Sequence, residues 1–305
     1  MHHHISMITK NANTNNHFYR HILGLRRVKL TVNQDDPHMY HLFYGDTTGT
    51  PGTNITFFEM KIAGATRRGT NAITGFSLIV PSEESLLFWQ QRFAKFGVKH
   101  GDITTYAGRQ ALPFEDEDGL RMHLIVADER ESFWEPWPQA AIPTEHLIQG
   151  MGTVEMTVHD EAALATTLTE IFDYTAQQGH VYQQQAGSAV GEIFVIEQAG
   201  DREKPGRGSI HHIALRVNDV AELEHVLVQA RAHGFKSEGI IDRYFFHSIY
   251  FREANGILIE VATDGPGFTI DENIEHMGET LDLPPFLEQR RPEIEQKLTV
   301  IEEEL

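Results

Sequence analysis

Stretches in which apolar and polar residues alternate recur along this 305-residue chain, and each is followed by a segment with helical periodicity. A period of two is typical of a β-strand with one buried face, and apolar positions three and four residues apart are typical of an amphipathic helix. Such strand-then-helix starts occur at HHISMIT, ITGFSLIVP, MGTVEMTVHD and SIHHIALRVND. Shorter alternating segments follow the helices, so the pattern predicts four repeats of a βαβββ unit.

Residues that favour helix ends support the predicted helices. Ser82 and Asp219 stand where N-cap residues belong, and Gly24, Gly97 and Gly234 follow three helices as C-cap glycines do. Four such units predict an α+β fold, in which the modules form two pairs and their curved, mostly antiparallel sheets enclose a cavity. Inward-facing side chains of different modules can then meet in that cavity.

One segment without periodicity divides the chain. Residues 129–147, rich in proline and tryptophan, predict a linker between an N-terminal domain at 1–128 and a C-terminal domain at 148–268, with two modules in each. Residues 269–305 form a C-terminal extension. We expect this extension to end in a helix and to pack on the outside of the fold or on a partner, an arrangement compatible with a homo-oligomer.

Composition narrows the chemistry and the partners. Cysteine is absent, which excludes disulfides and thiolate ligands, so a metal ion would need His, Asp or Glu ligands. The formal net charge of -19 argues against a nucleic-acid partner, because proteins bind a phosphate backbone with basic surfaces. No apolar run reaches transmembrane length, so we expect no membrane partner and a cytoplasmic location.

Two histidine pairs stand at the same point of the repeat. Just before the apolar alternation, the first strands of the four modules carry His4, Gly75, Thr153 and His212. A second histidine, His3 or His211, precedes each of the two histidines in this set. Neighbouring residues of a strand point to opposite faces, so we expect one histidine of each pair to face the cavity and the other to support it.

A third ligand is expected on a late strand of the fourth module. Glu260 interrupts the apolar run ILIEVA, and a buried carboxylate is costly unless it is paired or binds a metal ion. His4, His212 and Glu260 together form a set of two histidines and one carboxylate. Such a set suits a non-haem Fe(II) centre with open positions for oxygen and substrate.

Each of these residues also has a structural interpretation. His4 alone is compatible with the stub of a purification tag or with a frayed terminus, and His212 alone with an ordinary strand histidine. Glu260 could pair with Arg243 or Arg252 instead of a metal ion. The matching repeat positions of the three residues favour the metal site over these alternatives.

One histidine of the second module stands at the repeat position of a ligand but has no ligand partners. His123, in GLRMHLIVAD, falls at the repeat position of Glu260. The first strands of the second and third modules carry Gly75 and Thr153 in place of ligand histidines. We therefore interpret His123 as a structural residue.

Several ordered segments carry a family resemblance. From the start of the chain to its tail they are HHIS, GLRRVKLTVNQDDPHMYHLFYGD, PGTNITFF, HHIALRV, DRYFFHSIYFREANGILIEVATDGPGF and LPPFLE. Together they resemble the vicinal oxygen chelate superfamily of glyoxalases, bleomycin resistance proteins and extradiol dioxygenases, and within it the dioxygenases that cleave hydroquinone-type rings. The resemblance implies that His4, His212 and Glu260 bind one Fe(II), shared by the first and last modules.

The resemblance also implies roles for residues around the metal. His211 is our first choice for the general acid and base, and His3 is the second. Arg243 would stabilise developing negative charge, and Tyr250 would hydrogen-bond a bound oxygen species. Ser6 stands where relatives carry a threonine, so the hydroxyl group is kept and a methyl group is lost.

The implied reaction is an Fe(II)-dependent, extradiol-type cleavage of a hydroquinone- or catechol-type aromatic diol by O2. Phe245 and Phe246 are candidates for the pocket wall, although such residues more often lie in the core. Two rivals stay open: a glyoxalase-like metal-dependent lyase or isomerase, and a non-catalytic small-molecule-binding or resistance protein. The lyase would use a fourth protein ligand, for which the first module offers Thr56, with Glu59 as the nearest carboxylate.

Overall fold

The computed structural model of the protein describes residues 1–128, 134–138, 141–186 and 189–302. Within these residues four βαβββ modules follow one another, as the alternation predicted. The first module contains β1 (His2–Thr9), α1 (Ala12–His17) with a π-helical turn at Phe18–Ile22, β2 (Arg26–Val32), β3 (Tyr40–Gly45) and β4 (Asn54–Glu59). The second contains β5 (Ala72–Val80), α2 (Glu83–Phe96), β6 (Thr104–Tyr106), β7 (Arg109–Glu115) and β8 (Arg121–Val126).

The third and fourth modules repeat this order. The third contains β9 (Gly150–Val158), α3 (Glu161–Ile171), β10 (Thr175–Ala176), β11 (Val181–Ala186) and β12 (Ala189–Glu197). The fourth contains β13 (Ile210–Val217), α4 (Val220–Ala232), β14 (Ile241–Asp242), β15 (Phe246–Arg252) and β16 (Leu258–Pro266). Single 3-10 turns lie at Thr144–His146, Phe268–Ile270, Ile274–His276 and Glu288–Arg290, and α5 (Arg291–Lys297) follows the last of them.

The strands form two curled sheets of eight strands each. The first sheet has the order β14-β15-β16-β13-β1-β4-β3-β2, and the second has the order β10-β11-β12-β9-β5-β8-β7-β6. Among neighbours in the described chain, only β1 with β4, β13 with β16, β5 with β8 and β9 with β12 run parallel, so both sheets are mostly antiparallel, as predicted. The first and fourth modules share the first sheet, which therefore takes one module from each predicted domain.

The helices begin and end at the residues that the sequence indicated. Ser82 accepts a hydrogen bond from the Ser85 N–H at the start of α2, and Asp219 accepts one from the Glu222 N–H at the start of α4. Gly97 ends α2 in the left-handed conformation, with a φ of 68°, which a glycine adopts without steric cost. None of the helices in the described ranges is both long and apolar enough to span a bilayer.

Part of the predicted linker attaches to the folded modules through aromatic residues. Residues 129–133 and 139–140 lie outside the described residues. In the described part, the guanidinium of Arg26 lies over the Trp137 ring, 4.5 Å from its centroid. The Trp134 ring packs against Gly52, before β4, and Gly150, at the start of β9, where a Cβ atom would clash with it. The segment therefore contacts both sheets.

The C-terminal extension packs on the outer strand of the first sheet. Leu281 forms a parallel bridge with Leu30 of β2, and an apolar cluster joins this strand to the extension through Val32, Leu283, Leu287 and Ile294. The helix expected near the end of the extension is α5, which ends at Lys297 and is followed by residues 298–302 without regular secondary structure. Two main-chain carbonyls of this segment, at Thr299 and Val300, accept hydrogen bonds from side chains of the first module instead.

A buried lysine also fixes the extension. The Lys29 ammonium group is fully buried on β2 and lies 2.8 Å from Asp271, 2.6 Å from Glu272 and 2.7 Å from Asp282. Burial opposes the charge, but hydrogen bonds to the three carboxylates raise the pKa of Lys29. The three acids, which could otherwise resemble a cation site, thus surround a cationic side chain of the protein itself.

Candidate metal centre

Three side chains that can bind a metal ion converge on one face of the first sheet. They are His4 on β1, His212 on β13 and Glu260 on β16. Oε2 of Glu260 lies 2.8 Å from Nε2 of His212 and 3.2 Å from Nε2 of His4, and the two Nε2 atoms are 3.4 Å apart. None of the three is more than 4% exposed. The set chosen from the sequence is therefore brought together in a buried position.

Strand register explains why these residues meet. The central strands β1 and β13 are antiparallel, with His4 opposite Ala214 and Ser6 opposite His212, so the two histidines lie diagonally across the centre of the sheet. Strand β16 is the parallel neighbour of β13 and places Glu260 beside Ala214. Residues two apart on a strand share a face, so His212 and Glu260 project from the same side.

The hydrogen bonds of His3 fix the tautomer of His4. Nε2 of His3 lies 3.1 Å from the carbonyl oxygen of Thr263, which can only accept, so this nitrogen donates. Burial, then the charge of His4, lowers the pKa of His3 to about 3, so the ring is neutral and its Nδ1 is an acceptor. Nδ1 of His4, 2.9 Å away, must then donate. Nε2 of His4 is left with a free lone pair facing Glu260, as a metal ligand requires.

The second histidine pair repeats this contact. Nδ1 of His211 lies 2.8 Å from Nδ1 of His212. The His211 ring borders the cavity on one side, and its Nε2 has no hydrogen-bond partner among the described residues. Surrounding protein, then the charges of His212 and Arg252, lower the pKa of His211 to about 4. His211 therefore supports a ligand histidine and also reaches the cavity.

The two oxygen atoms of Glu260 have different partners. Oε2 faces the histidines, whereas Oε1 accepts hydrogen bonds from Oγ of Ser248 at 2.6 Å and from the Tyr250 hydroxyl at 2.8 Å. Burial opposes ionisation, but His4 and His212 hold the pKa of Glu260 well below its usual range. The ionised carboxylate is thus oriented through one oxygen and leaves the other for a cation.

Arg243 and Tyr250 form a second polar group beside the carboxylate. Nε of Arg243 donates to the Tyr250 hydroxyl at 3.2 Å, one of its terminal nitrogens donates to Asp35 at 3.1 Å, and the guanidinium lies 5.2 Å from the centroid of the Tyr250 ring. Burial, then the charge of Glu260, raises the pKa of Tyr250 well above its usual value. The phenol therefore keeps its proton and a fixed position.

The donor set fits a divalent metal ion with three protein ligands. Two imidazole nitrogens and a carboxylate oxygen lie within hydrogen-bond distance in a buried site, where a cation would balance the carboxylate charge. In the first module Thr56 pairs with Ser6 as Glu260 pairs with Ala214, so Thr56 takes the place of a second carboxylate. Glu59 accepts a hydrogen bond from the Ala12 N–H and is not part of the ligand cluster.

A cavity of about 440 Å³ borders the three ligands. Its walls are mostly apolar, and the residues that form them include Ile8, Val32, Met39, Phe43, Phe58, Phe245 and Phe246. The Phe246 ring also packs against His4, with 5.3 Å between the ring centroids. The size and the aromatic walls suit a small aromatic molecule.

The catalytic residues suggested by the sequence fall into two groups. His211, Arg243 and Tyr250 border the cavity. His3 and Ser6 are buried behind its wall and are not among the bordering residues. Oγ of Ser6 contacts Oγ1 of Thr56 at 2.7 Å, so any influence of Ser6 on the cavity passes through that threonine.

Sequence reasoning missed five polar residues of the cavity, among them Thr31 on β2 and His41 on β3. Nε2 of His41 lies 3.0 Å from Oγ1 of Thr56, and burial, then the charges of His4 and His212, lowers the pKa of His41 well below its usual value. His41 interrupts the apolar run of YHLFYG, as Glu260 interrupts ILIEVA, whereas Thr31 lies at a polar position of the alternating strand RRVKLTV. That interruption was the available signal.

Comparison with known proteins agrees with this geometry. The profile of the Glyoxalase/Bleomycin resistance protein/Dioxygenase superfamily matches residues 2–124 and 150–261. The chain is 43% identical over 312 residues to a protein of Bacillus subtilis (strain 168) provisionally named ring-cleaving dioxygenase MhqA, covering 98% of each chain. It is 31% identical to the chlorohydroquinone/hydroquinone 1,2-dioxygenase of Sphingobium indicum, covering 96% of this chain and 94% of the relative.

Solved structures show the same architecture. A crystal structure of a provisionally named dioxygenase from Bacillus subtilis subsp. subtilis str. 168 matches with a TM-score of 0.90 and 34% identity, covering 99% of this chain and 97% of the other. Glyoxalase I from Zea mays matches with a TM-score of 0.61 and 13% identity, covering 86% and 92%, which shows a shared fold alone. The chain therefore belongs to the Glyoxalase/Bleomycin resistance protein/Dioxygenase superfamily.

Proposed function

We propose that this protein is an Fe(II)-dependent, extradiol-type dioxygenase that opens a hydroquinone- or catechol-type aromatic ring with O2. The observation that carries the proposal is the convergence of His4, His212 and Glu260, without a fourth ligand among the described residues, beside a cavity of aromatic size. Bound by these residues, Fe(II) would supply open positions at which an aromatic oxygen and O2 react together. The name of the Sphingobium relative supports the hydroquinone class of substrate.

The residues of the chain have separable tasks in this proposal. His3 holds His4 in the tautomer that a metal needs, through an Nδ1 contact of 2.9 Å, and His211 contacts Nδ1 of His212 at 2.8 Å. His211 also borders the cavity, so it is our choice for the residue that exchanges a proton with the substrate hydroxyl. His3 does not border the cavity and is the orienting residue of the two.

Arg243 and Tyr250 stabilise the negative charge that develops as the ring opens. The guanidinium is held by Tyr250 and Asp35, so its charge is positioned before substrate arrives. The Tyr250 hydroxyl donates to Oε1 of Glu260 at 2.8 Å, and it would transfer this hydrogen bond to an oxygen atom bound beside the carboxylate. Phe245 and Phe246 form an apolar part of the cavity wall. An aromatic ring can pack against this wall and exclude water from it.

Ligand number favours this function over a glyoxalase-like lyase or isomerase. Such an enzyme would use a fourth protein ligand, but Thr56 stands in the equivalent position and its hydroxyl is engaged by Ser6 and His41. A non-catalytic binding protein would need no supported ligand set beside Arg243 and Tyr250. Both alternatives stay testable by measurement.

The experiment is oxygen uptake by protein purified without O2 and loaded with Fe(II). Hydroquinone, methylhydroquinone and catechol are supplied in turn, and metal content is measured in the same preparation. We expect about one iron for each chain and consumption of O2 with at least one diol. No consumption with any diol would refute the proposal, and turnover without O2 by a zinc- or nickel-loaded protein would establish the lyase.

A further inference from the structure

Thr31 and His41 are cross-strand neighbours on the first-module wall of the cavity. Strands β2 and β3 are antiparallel, and their register places Thr31 directly opposite His41. Both side chains border the cavity, on the same face of the sheet as Phe43 and Phe58. Side chains directly opposite each other in an antiparallel pair are within contact distance of a common ligand atom.

The ring of His41 is held with one edge open. Its Nε2 is anchored by Thr56 at 3.0 Å, and its ring packs between Phe43 and Phe58, with centroid distances of 4.0 and 4.2 Å. Its Nδ1 has no hydrogen-bond partner in the described chain and is not sealed inside the protein. The ring therefore offers a fixed polar edge to the cavity.

The hydroxyl group of Thr31 is unsatisfied. Thr31 is 2% exposed, and its Oγ1 is buried without a hydrogen-bond partner among the described residues. A buried hydroxyl without a partner is destabilising, so such groups are uncommon unless a ligand completes them. Thr31 borders the cavity, and rotation about its Cα–Cβ bond would present this hydroxyl to a ligand there.

Each neighbouring polar residue of this wall makes at least one hydrogen bond within the protein. The amide of Gln34 donates to the carbonyl oxygen of Arg243 at 2.7 Å, and Asp35 accepts from the Arg243 side chain at 3.1 Å. The amide oxygen of Asn33 accepts from the Asp35 N–H at 3.0 Å. A polar ligand group at this wall would therefore meet the free atoms of Thr31 and His41.

We propose that Thr31 and His41 form a second polar subsite, which hydrogen-bonds the hydroxyl group of an aromatic diol that is remote from His4, His212 and Glu260. A hydroxyl group donates one hydrogen bond and accepts others, and threonine and neutral histidine can each match either role. The two hydroxyls of a 1,4-diol lie at opposite ends of the ring, whereas those of a 1,2-diol lie together. The subsite therefore selects 1,4-dihydroxy aromatics, an inference that rests on the proposed function.

The pseudosymmetry of the first sheet supports this division of the cavity. By strand register, Thr56 occupies the repeat position of Glu260 and His41 that of Ser248. The fourth-module side thus carries the ligand carboxylate with its supporting serine. The first-module side carries a threonine and an imidazole instead, so a substrate hydroxyl meets neutral hydrogen-bonding groups there.

The test compares two ligands that differ by one hydroxyl group. Hydroquinone and 4-methylphenol are titrated without O2 into the Fe(II)-loaded protein by calorimetry, for the wild type, Thr31→Val and His41→Phe. We expect the wild type to bind hydroquinone about tenfold more tightly than 4-methylphenol. Each variant should bring that ratio close to one while the affinity for 4-methylphenol stays within about twofold.

Matched controls separate recognition from folding. Thr70 has a buried hydroxyl without a partner, and His123 a buried Nδ1 without one, and neither borders this cavity. Thr70→Val and His123→Phe should keep the wild-type ratio. The subsite is refuted if Thr31→Val retains the wild-type ratio or weakens both ligands equally. Oxygen uptake is recorded separately, so a protein that shows the predicted ratios without consuming O2 would refute the proposed function and leave the subsite standing.

Discussion

The two sheets of the molecule place different side chains at equivalent points of one topology. In both, the central antiparallel pair has a register shift just before the position of interest, between His2 and His4 in β1 and between Ile73 and Gly75 in β5. His4 of the first sheet therefore corresponds to Gly75 of the second. Backbone geometry is the same at this point, so the chemistry depends on the side chains that each module carries.

The second sheet fills its equivalent positions with mutual contacts. His123, at the repeat position of Glu260, stacks on Tyr106 with 3.8 Å between ring centroids. Thr153, at the position of His212, donates to Glu192 at 2.5 Å, and Gln183 donates to the other oxygen of that carboxylate at 2.7 Å. Both oxygens of Glu192 are thus satisfied and Nδ1 of His123 stays buried without a partner in the described chain, whereas the polar groups of the first sheet face a cavity. We conclude that polar side chains facing a cavity, rather than the fold, mark the functional sheet.

Removing a ligand from the first sheet should have the largest effect. His212→Ala leaves one histidine and one carboxylate, so we expect iron to be lost on desalting and the affinity for metal to fall by at least about 100-fold. Metal analysis of anaerobic preparations measures this. His123→Ala, the equivalent change in the second sheet, should keep the wild-type iron content, and equal loss of iron in both would contradict the assignment.

Removing the supporting histidine should separate metal binding from turnover. His211→Ala keeps the three ligands, so iron should be retained while kcat falls by about 10²- to 10⁴-fold, the usual contribution of a positioned acid or base. Oxygen uptake and metal content are measured together. If His211→Ala and His212→Ala lost metal to the same extent, the assignment of inner and outer histidines would be wrong.

The C-terminal extension should stabilise the first sheet through Lys29. Lys29→Met leaves Asp271, Glu272 and Asp282 without a counter-charge, so we expect the free energy of unfolding to fall by about 3–5 kcal/mol. Lys99→Met removes a solvent-exposed pair with Glu115 on the second sheet and should cost less than about 1 kcal/mol. Denaturant unfolding measures the free energy of both variants. Equal losses would show that the buried cluster stabilises the protein no more than an exposed ion pair does.

Acid should destabilise the second sheet through His123. Burial lowers the pKa of His123 from 6.5 to about 4, so between these values the unfolded chain binds a proton that the folded chain does not. Stability therefore falls as the pH drops from 6.5 towards 4. His123→Phe should make the fall shallower by on the order of 2 kcal/mol, measured by denaturant unfolding at both limits. Substitution of the exposed His225 by Gln serves as the control and should leave the slope unchanged.

The sequence could predict those features that repeat along the chain. The alternation located the four modules, and its register placed His4 and His212 at matching points, because both positions are local to one strand. Glu260 stood out because a charged residue interrupts an apolar strand. Local patterns of this kind do not depend on which strands become neighbours.

Features that depend on strand pairing could not be predicted. The alternation of each module is equally compatible with several partners, so it did not show that the first and fourth modules share a sheet. The opposition of Thr31 and His41 requires the register between β2 and β3, which is set by the turn at residues 33–39 and not by either strand alone. The same holds for the residues after α5, because the carbonyls of Thr299 and Val300 accept hydrogen bonds from side chains of the first module.

The most direct test of the central claim is the ratio of O2 consumed to diol converted by the Fe(II)-loaded protein. Hydroquinone in a closed anaerobic cell receives a measured pulse of O2, and residual O2 and residual diol are followed together. We predict that the wild type consumes O2 and diol in equal molar amounts and that His212→Ala consumes neither. Conversion of the diol without consumption of O2, or equal consumption by both proteins, would contradict it.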